Sequence, residues 1–311
     1  MRTALTAALS LVIAGTIATA FEVSETDAKI TVTKGEKTVL VYHKDELPPP
    51  EGQDPLFRRS GFIHPLCAPS GQPVTGIHPD DHIHHVGLWG AWVNTVYGDE
   101  KPDFWNLKKG TGRVRYTSTV VAKVNDGGHP LIQVVQDYVA KDNKRVLSEY
   151  LTIAIKEIEG AYAIDYTSTQ VNTSKITLKL PANRYGGPIA YRGPAHWNNS
   201  NSTVLTSEGR SREDGHATRA RWCAFSGSVK EGQAGLAILC HPSNHDAPQR
   251  VRIWPSKTHD GAVFFNYVPV QEHAWSIDPG KQFTMRYRLL VHDGETNAES
   301  VESTWKKFAG E

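Results

Sequence analysis

The densest chemistry in this sequence is His78-Pro79-Asp80-Asp81-His82-Ile83-His84-His85, which puts four of the chain's 14 histidines into eight residues beside two aspartates. Histidine titrates nearest neutrality and is the commonest metal ligand, so the cluster points to proton transfer or to a bound cation. If residues 82–86 run extended, side chains alternate, with His82 and His84 on one face and Ile83 and His85 on the other. That spacing offers an acid/base pair or two ligands of a divalent metal. A metal site needs three or four ligands, so His82 and His84 require a distant partner such as His241, His245 or Asp81. An acid/base site instead needs a carboxylate or carbonyl to fix one imidazole's tautomer. Asp80 and Asp81 are near enough in the chain to serve. The plainer alternative is a polar loop whose imidazoles bond backbone.

Three further constellations stand out. In Tyr185-Gly186-Gly187-Pro188-Ile189-Ala190-Tyr191-Arg192, glycines would let backbone approach a ligand while Arg192 grips a carboxylate or sugar oxygens. A β-bulge beside a surface arginine explains the same residues. His241-Pro242-Ser243-Asn244-His245 follows a strand end and offers imidazole and amide groups at a sheet rim. Glu272, in Gln271-Glu272-His273, is the best late carboxylate for a base, against the reading of an exposed loop glutamate. Trp89, Trp92, Phe104 and Trp105 either line a sugar-sized cleft or belong to the core. No G-x-S-x-G, H-E-x-x-H, P-loop or G-x-G-x-x-G pattern occurs, which disfavours serine hydrolases, zincins and nucleotide enzymes.

The elements that must position these residues read as strands. Residues 28–34 and 37–43 flank Gly35-Glu36 and predict a hairpin. Residues 113–124, 131–140, 145–158 and 161–171 alternate polar and apolar, separated by turns such as Asp126-Gly127-Gly128. They predict an antiparallel meander with one wet face. Strands also read over 176–180, 219–229, 233–240, 251–254, 262–268 and 283–292. Thr296-Asn297-Ala298-Glu299 has capping-box spacing, and Val301, Trp305 and Phe308 then share one helical face. The pattern predicts an all-β chain, one large antiparallel β-sandwich closed by a short C-terminal helix.

Arg2, the apolar run Ala4–Ala20 and Ala18-Thr19-Ala20 have the form of a secretory signal peptide cut after Ala20. Residues 21–311 would then be a single exported domain, periplasmic or secreted, with no later stretch apolar enough to span a bilayer. Loss of Arg2 leaves 33 basic residues against 33 acidic ones. That balance argues against nucleic acid or a membrane surface as partner. Cys67, Cys223 and Cys240 allow at most one internal disulfide, and at least one is expected to be a buried free thiol.

Arg59-Ser60-Gly61-Phe62-Ile63-His64-Pro65-Leu66, Pro69-Ser70-Gly71 and Asp81-His82-Ile83-His84-His85-Val86-Gly87-Leu88-Trp89 together resemble the signature of the PmoA-like family of exported bacterial proteins. Tyr185-Gly186-Gly187, His241-Pro242-Ser243-Asn244 and Tyr287–Gly294 fit the same pattern. The resemblance implies an association with carbohydrate degradation. The family's methane-oxygenase label does not suit this chain, because a membrane monooxygenase subunit needs several spanning helices. A fold-level similarity to galactose mutarotase-like supersandwich proteins implies site roles for Arg59, His85 with Gly87, Tyr185–Arg192, and Glu272 before Pro279-Gly280. Val86 is inserted between His85 and Gly87, and Glu272 lies in a Gln-Glu-His context, so the match departs in detail.

The leading expectation is an exported carbohydrate-active enzyme of lyase, hydrolase or epimerase type. His82, His84, His85, His241 and Glu272 would supply the chemistry, and Arg59, His64, Trp89, Tyr185, Arg192 and Asn244 would hold a sugar or other small polar ligand. The alternatives are a non-catalytic carbohydrate-binding sandwich and a structural or surface-assembly module.

Overall fold

The computed structural model describes residues 20–311, and the leader reading falls on residues outside them. Two eight-stranded antiparallel sheets and one three-stranded sheet make up the fold. In spatial order the first sheet runs Phe21–Glu25, Lys29–Lys34, Lys37–His43, Phe62–Leu66, Leu88–Ala91, Gly187–Arg192, Phe264–Val268 and Arg250–Ile253. The second runs Ser202–Thr206, Trp222–Ser228, Gln233–Cys240, Gln282–Asp293, Ala161–Asn172, Arg145–Ile158, Pro130–Ala140 and Gly112–Val124. Trp275–Ile277, Leu178–Leu180 and Val96–Tyr97 form the small sheet. The large antiparallel sandwich expected from the strand pattern is the observed architecture. No helix among the described residues is long and apolar enough to cross a membrane.

The inner faces of the two large sheets meet over Ile30, Val32, Leu40, Ile153, Ile155, Ile164, Ile238 and Leu289, all buried. In Leu151-Thr152-Ile153-Ala154-Ile155-Lys156 burial follows the period-2 pattern, with Leu151, Ile153 and Ile155 inside. Gly187–Arg192 and Phe264–Val268 are buried at every position. One face lies on the core, and aromatic residues such as Trp89, Trp105 and Trp254 cover the other. The C-terminal helix, Ala298–Ala309, does the same for the second sheet, seating Val301 and Trp305 on Trp222, Ala237 and Leu239. Its N-cap is Asn297, whose side chain accepts the Ser300 N–H at 3.0 Å. The capping-box spacing placed the cap at Thr296, one residue early; asparagine is the stronger cap of the two.

Trp89, Trp92, Phe104 and Trp105 are core residues, none more than 1 % exposed. The view of Trp89, Trp92 and Phe104 as a sugar-lining surface is thereby corrected, while Trp105, though buried, borders the cleft described below. The sandwich keeps a second apolar cluster outside its main core, and these large rings fill it.

All three cysteines are free and buried. Burial raises the Cys67 thiol to about 11 and Cys240 to about 12, and lifts Cys223 well above its ordinary value. Thiolate is the reacting form, so the native thiols should be inert. Ellman's reagent is expected to titrate none of them in the native protein and all three in guanidinium. A fast-reacting native thiol would contradict this packing.

Candidate active site

The histidine stretch is a looped turn and not an extended strand. Ile77 and Val86 close it with an isolated bridge. Two successive β-turns fill the interior: the His82 N–H donates to Pro79 O at 3.0 Å, and the His85 N–H to His82 O at 2.9 Å. Pro79-Asp80-Asp81 is turn-forming sequence, and an extended run here would have no strand to pair with. The face assignment made for an extended segment is therefore corrected. The turns bring all three imidazoles together, with ring centroids 5.5 Å apart for His82 and His84, 4.7 Å for His82 and His85, and 4.6 Å for His84 and His85.

Ile83, buried, anchors the loop, and His78 Nδ1 lies 2.6 Å from Ile83 O. Gly87 leaves the loop at φ +61°, where a side chain would run into the backbone oxygen of Ile63. The apex is tied down by charge. Arg192, 4 % exposed at the end of Gly187–Arg192, forks onto Asp81, with Nη2 to Oδ1 at 2.8 Å and Nη1 to Oδ2 at 3.2 Å. Its guanidinium lies over Trp254, with Cζ 4.9 Å from the ring centre. Asp81 in turn meets His82 Nδ1 at 3.0 Å and His259 Nδ1 at 3.4 Å.

These contacts sort the groups electrostatically. Burial works against the Asp81 charge, but the His82 hydrogen bond and the Arg192 guanidinium outweigh it and bring the carboxyl to about 2. Burial, joined by the charges of His82 and Arg59, lowers His84 to about 3. Burial and the neighbouring His84 and Arg192 hold His85 well below its ordinary value. His84 and His85 are thus neutral imidazoles at physiological pH, beside an ionised Asp81. His259 is also lowered, mainly by burial.

A cleft of about 390 Å³ opens on this cluster, walled by His82, His84, His85, Trp105, Asn106, Arg184, Tyr185, Arg252, Trp254 and Phe264. The Tyr185 hydroxyl is within hydrogen-bonding distance of Asn106 Nδ2, at 3.2 Å. His85, 2 % exposed and stacked on Phe264, leaves Nδ1 without a partner among the described residues. Of the expected site residues, then, His82, His84, His85 and Tyr185 share the cleft, Trp89 packs beneath His85, and Arg192 anchors the loop from behind.

The others lie elsewhere or serve the fold. His241 is not a partner of His82 and His84: it bonds Ser243 and packs edge-on against Phe308 of the C-terminal helix. Glu272 is held by Arg250 and Arg219, which keep its carboxyl low, and it does not line the cleft. Asn244 bridges backbone, accepting from Arg286 N–H at 2.7 Å and donating to Arg286 O at 2.8 Å. Arg59 is wholly buried and donates to Gly90 O and Phe104 O, so it supports the cleft floor. His64 pairs with Thr75, and burial with the charges of His43 and His78 lowers it to about 4. The Gly186-Gly187 backbone closes on protein, not on a ligand: a Cβ on Gly186 would meet Val93 Cγ1 at 2.7 Å.

Sequence reasoning missed Arg184, Arg252, Trp254 and His259. A weak signal was present in His259-Asp260-Gly261, a histidine and an aspartate before glycine after a strand. All three adopt positive φ, and strained loop backbone of this kind concentrates at functional sites.

This is a β-sandwich protein with a histidine cluster, an Asp–Arg clamp and an aromatic cleft at one sheet. The chain belongs to DUF6807, a family of unknown function whose model matches residues 29–306. No curated protein matches it. Among solved structures it is similar to the GH36 α-galactosidase AgaA from Geobacillus stearothermophilus, at 9 % identity and TM-score 0.39 over 88 % of this chain and 40 % of that one. The A355E D478A form of that enzyme in complex with stachyose gives 11 % identity and TM-score 0.41, over 90 % and 42 %. The heparan sulfate lyase HepC from Pedobacter heparinus gives 9 % and 0.37, over 86 % and 34 %. The chain spans less than half the length of each. Substrate and mechanism must come from the chain's own residues.

The lowered histidines set an acid limit on stability. Between about pH 6.5, where free histidine titrates, and the values of about 4 and 3 at His64 and His84, the unfolded chain binds protons that the folded one does not. Stability is therefore full above pH 6.5 and falls as pH drops through this window. Thermal melts from pH 7.5 to 4.5 should show a continuous decline, and His84→Gln should flatten it. An unchanged slope in that variant would mean His84 is not held neutral.

Proposed function

We propose that this protein is an exported carbohydrate-active enzyme whose working acid/base is His82. The observation that carries the reading is the Asp81–His82 contact at 3.0 Å, with Asp81 itself fixed by the Arg192 fork. A carboxylate on Nδ1 sets the tautomer and leaves Nε2 to take or give a proton. His82 also lines the cleft, so a ligand there meets the ring. The cleft's make-up favours a sugar. Tyr185, Trp105 and Trp254 offer apolar ring surface, while Asn106 and neutral His84 and His85 offer hydrogen bonds to hydroxyls. The PmoA-like motif resemblance keeps company with this reading through carbohydrate degradation alone.

Export rests on the leader pattern at Arg2 and Ala4–Ala20. The first strand begins at Phe21, so cleavage after Ala20 would leave the sheet whole. Edman or mass-spectrometric analysis of exported material should find Phe21 first; an intact Met1 would count against it.

His82→Gln is expected to lower turnover about 100- to 10,000-fold, and to move stability by no more than about 0.5 kcal/mol because the ring is partly exposed. A panel of sugars and keto-sugars supplies the assay. Loss of melting temperature without loss of activity per folded molecule would make the cluster structural. A second reading has its own observation: donor atoms of Asp81, His82 and His259 lie within 4.8 Å of one another, as a divalent metal would require. Both Asp81 oxygens are already in the Arg192 fork, so a cation would compete with the guanidinium. His259→Ala separates the two. It removes a ligand of the metal site and leaves the Asp81–His82 contact, so activity retained in that variant, and in chelator, favours the acid/base reading.

A further inference from the structure

Two arginines of the cleft have no acid to pair with. Arg192, Arg219, Arg221, Arg250 and Arg288 each meet a carboxylate. Arg184 and Arg252 form no such pair among the described residues; each lies near the Tyr185 ring, with Cζ at 5.9 Å and 5.5 Å from its centre. Arg252 is partly buried and also lies 6.0 Å from the Phe264 ring. Burial and the charge of Arg184 both work against its ionised form. The same two charges, after burial, lower His216 beside them.

No carboxylate lines this cleft. Of the two carboxylates closest in sequence to its wall, Asp81 is taken by the Arg192 fork, and Asp103 is engaged by the N–H groups of Trp105 and Asn106 and by Asn106 Nδ2, at 3.0, 2.9 and 2.7 Å. Like charges on one cleft wall disfavour each other, an anion between them relieves that, and a guanidinium fork matches the oxygens of a carboxylate or sulfate. His85 lines the same cleft, and its buried Nδ1 has no partner among the described residues. If Arg184 and Arg252 were merely solvated surface groups, their neutralisation would change no ligand's affinity.

We propose that Arg184 and Arg252 form an anion subsite, so that the ligand of the cleft is a sugar carrying an oxyanion, a uronic acid or a sulfated sugar. The oxyanion sits between the two guanidiniums and the ring lies along Tyr185 and Trp254. The assignment rests on the sugar reading of this cleft, and its test is binding, which does not require turnover.

Calorimetric titration of the mature protein with D-glucuronate, its methyl ester, D-glucose, D-glucose 6-sulfate and inorganic sulfate makes the test. At least one anionic sugar should bind about 10- to 100-fold more tightly than glucose and the neutral ester, and the advantage should shrink with added salt. Arg252→Gln and Arg184→Gln should each remove most of that advantage, whereas His82→Gln should keep it. The preferred anion, carboxylate or sulfate ester, names the group. Retention in His82→Gln separates this subsite from the catalytic reading, since turnover can fail while the anion preference stands. Equal affinity for glucose and the anionic sugars, no binding of either anionic sugar, or a preference that survives both arginine variants would overturn the proposal. Inorganic sulfate binding as tightly as the sugars would also overturn it, by showing an adventitious anion only. Arg184 is exposed, so its variant should fold even if Arg252→Gln does not.

Discussion

The ion pair between Arg192 and Asp81 fixes the geometry on which the rest of the site depends. Arg192 works through backbone as well as side chain. Its N–H donates to Gly87 O at 2.8 Å, and its carbonyl accepts from Gly76 N–H at 2.9 Å. One residue of the first sheet thus holds both flanks of the histidine loop, while its guanidinium fork holds the apex. Arginine suits this post where lysine would not, because a planar fork fixes the carboxylate's orientation as well as its position, and it can also stack on Trp254. The orientation of Asp81 then sets that of His82.

The clamp needs a rigid floor, and a buried polar layer supplies one. Arg59 reaches Gly90 O at 2.9 Å and Phe104 O at 3.3 Å, tying the strand Leu88–Ala91 to the segment that carries Trp105. Burial lowers its guanidinium only to about 10, so it stays charged. Glu149 lies in the same layer, accepting from Gln136, Ser168 and Gln170, while Gln170 accepts from Trp92 Nε1 at 2.8 Å. Burial raises Glu149, and these donors oppose it. Buried charges of this kind add little net stability against an apolar core. They do fix a register, since each partner that moves leaves another unsatisfied. Trp89, beneath His85, is carried on the strand that Arg59 secures. Arg59, wholly buried, therefore acts on the cleft through the backbone it holds.

Sequence pattern revealed the long strands with one face to water, though it missed the short Phe21–Glu25 and Ser202–Thr206. The runs 113–124, 131–140, 145–158 and 161–171 alternate because solvent and core alternate, and the structure's strands follow them closely. Strands covered on both faces carry no such period, and Gly187–Arg192 was legible only through its glycines and arginine. At the site, the histidine cluster was visible as composition, yet its shape was not. Alternation assumes a paired strand, and the Pro-Asp-Asp turn removed that premise. Long-range partners were the larger loss. His259 meets Asp81 because strands of one sheet, on either side of Gly187–Arg192, bring their loops to a common edge, and strand order is invisible in a single sequence. The same limit sent the search for a third histidine to His241, which the fold uses beneath its C-terminal helix.

The Arg192–Asp81 pair also divides two environments of opposite character. On one side lies the cleft, with neutral His84 and His85, His82, and the unpaired Arg184 and Arg252. On the other, Asp80, Asp81 and Asp260 gather with His78 and His259 around a second, more open hollow. His82 lines the first and His259 the second, although both touch the same carboxylate. An anionic ligand is drawn to the first side and repelled from the second, and a cation the reverse. Proton transfer by His82 and cation binding by Asp81, His82 and His259 would draw on the same imidazole and carboxylate. They make opposite demands on Asp81, the first needing it bound to an imidazolium or imidazole N–H and the second needing an oxygen freed from Arg192. The fork as built, with both oxygens taken, meets the first demand.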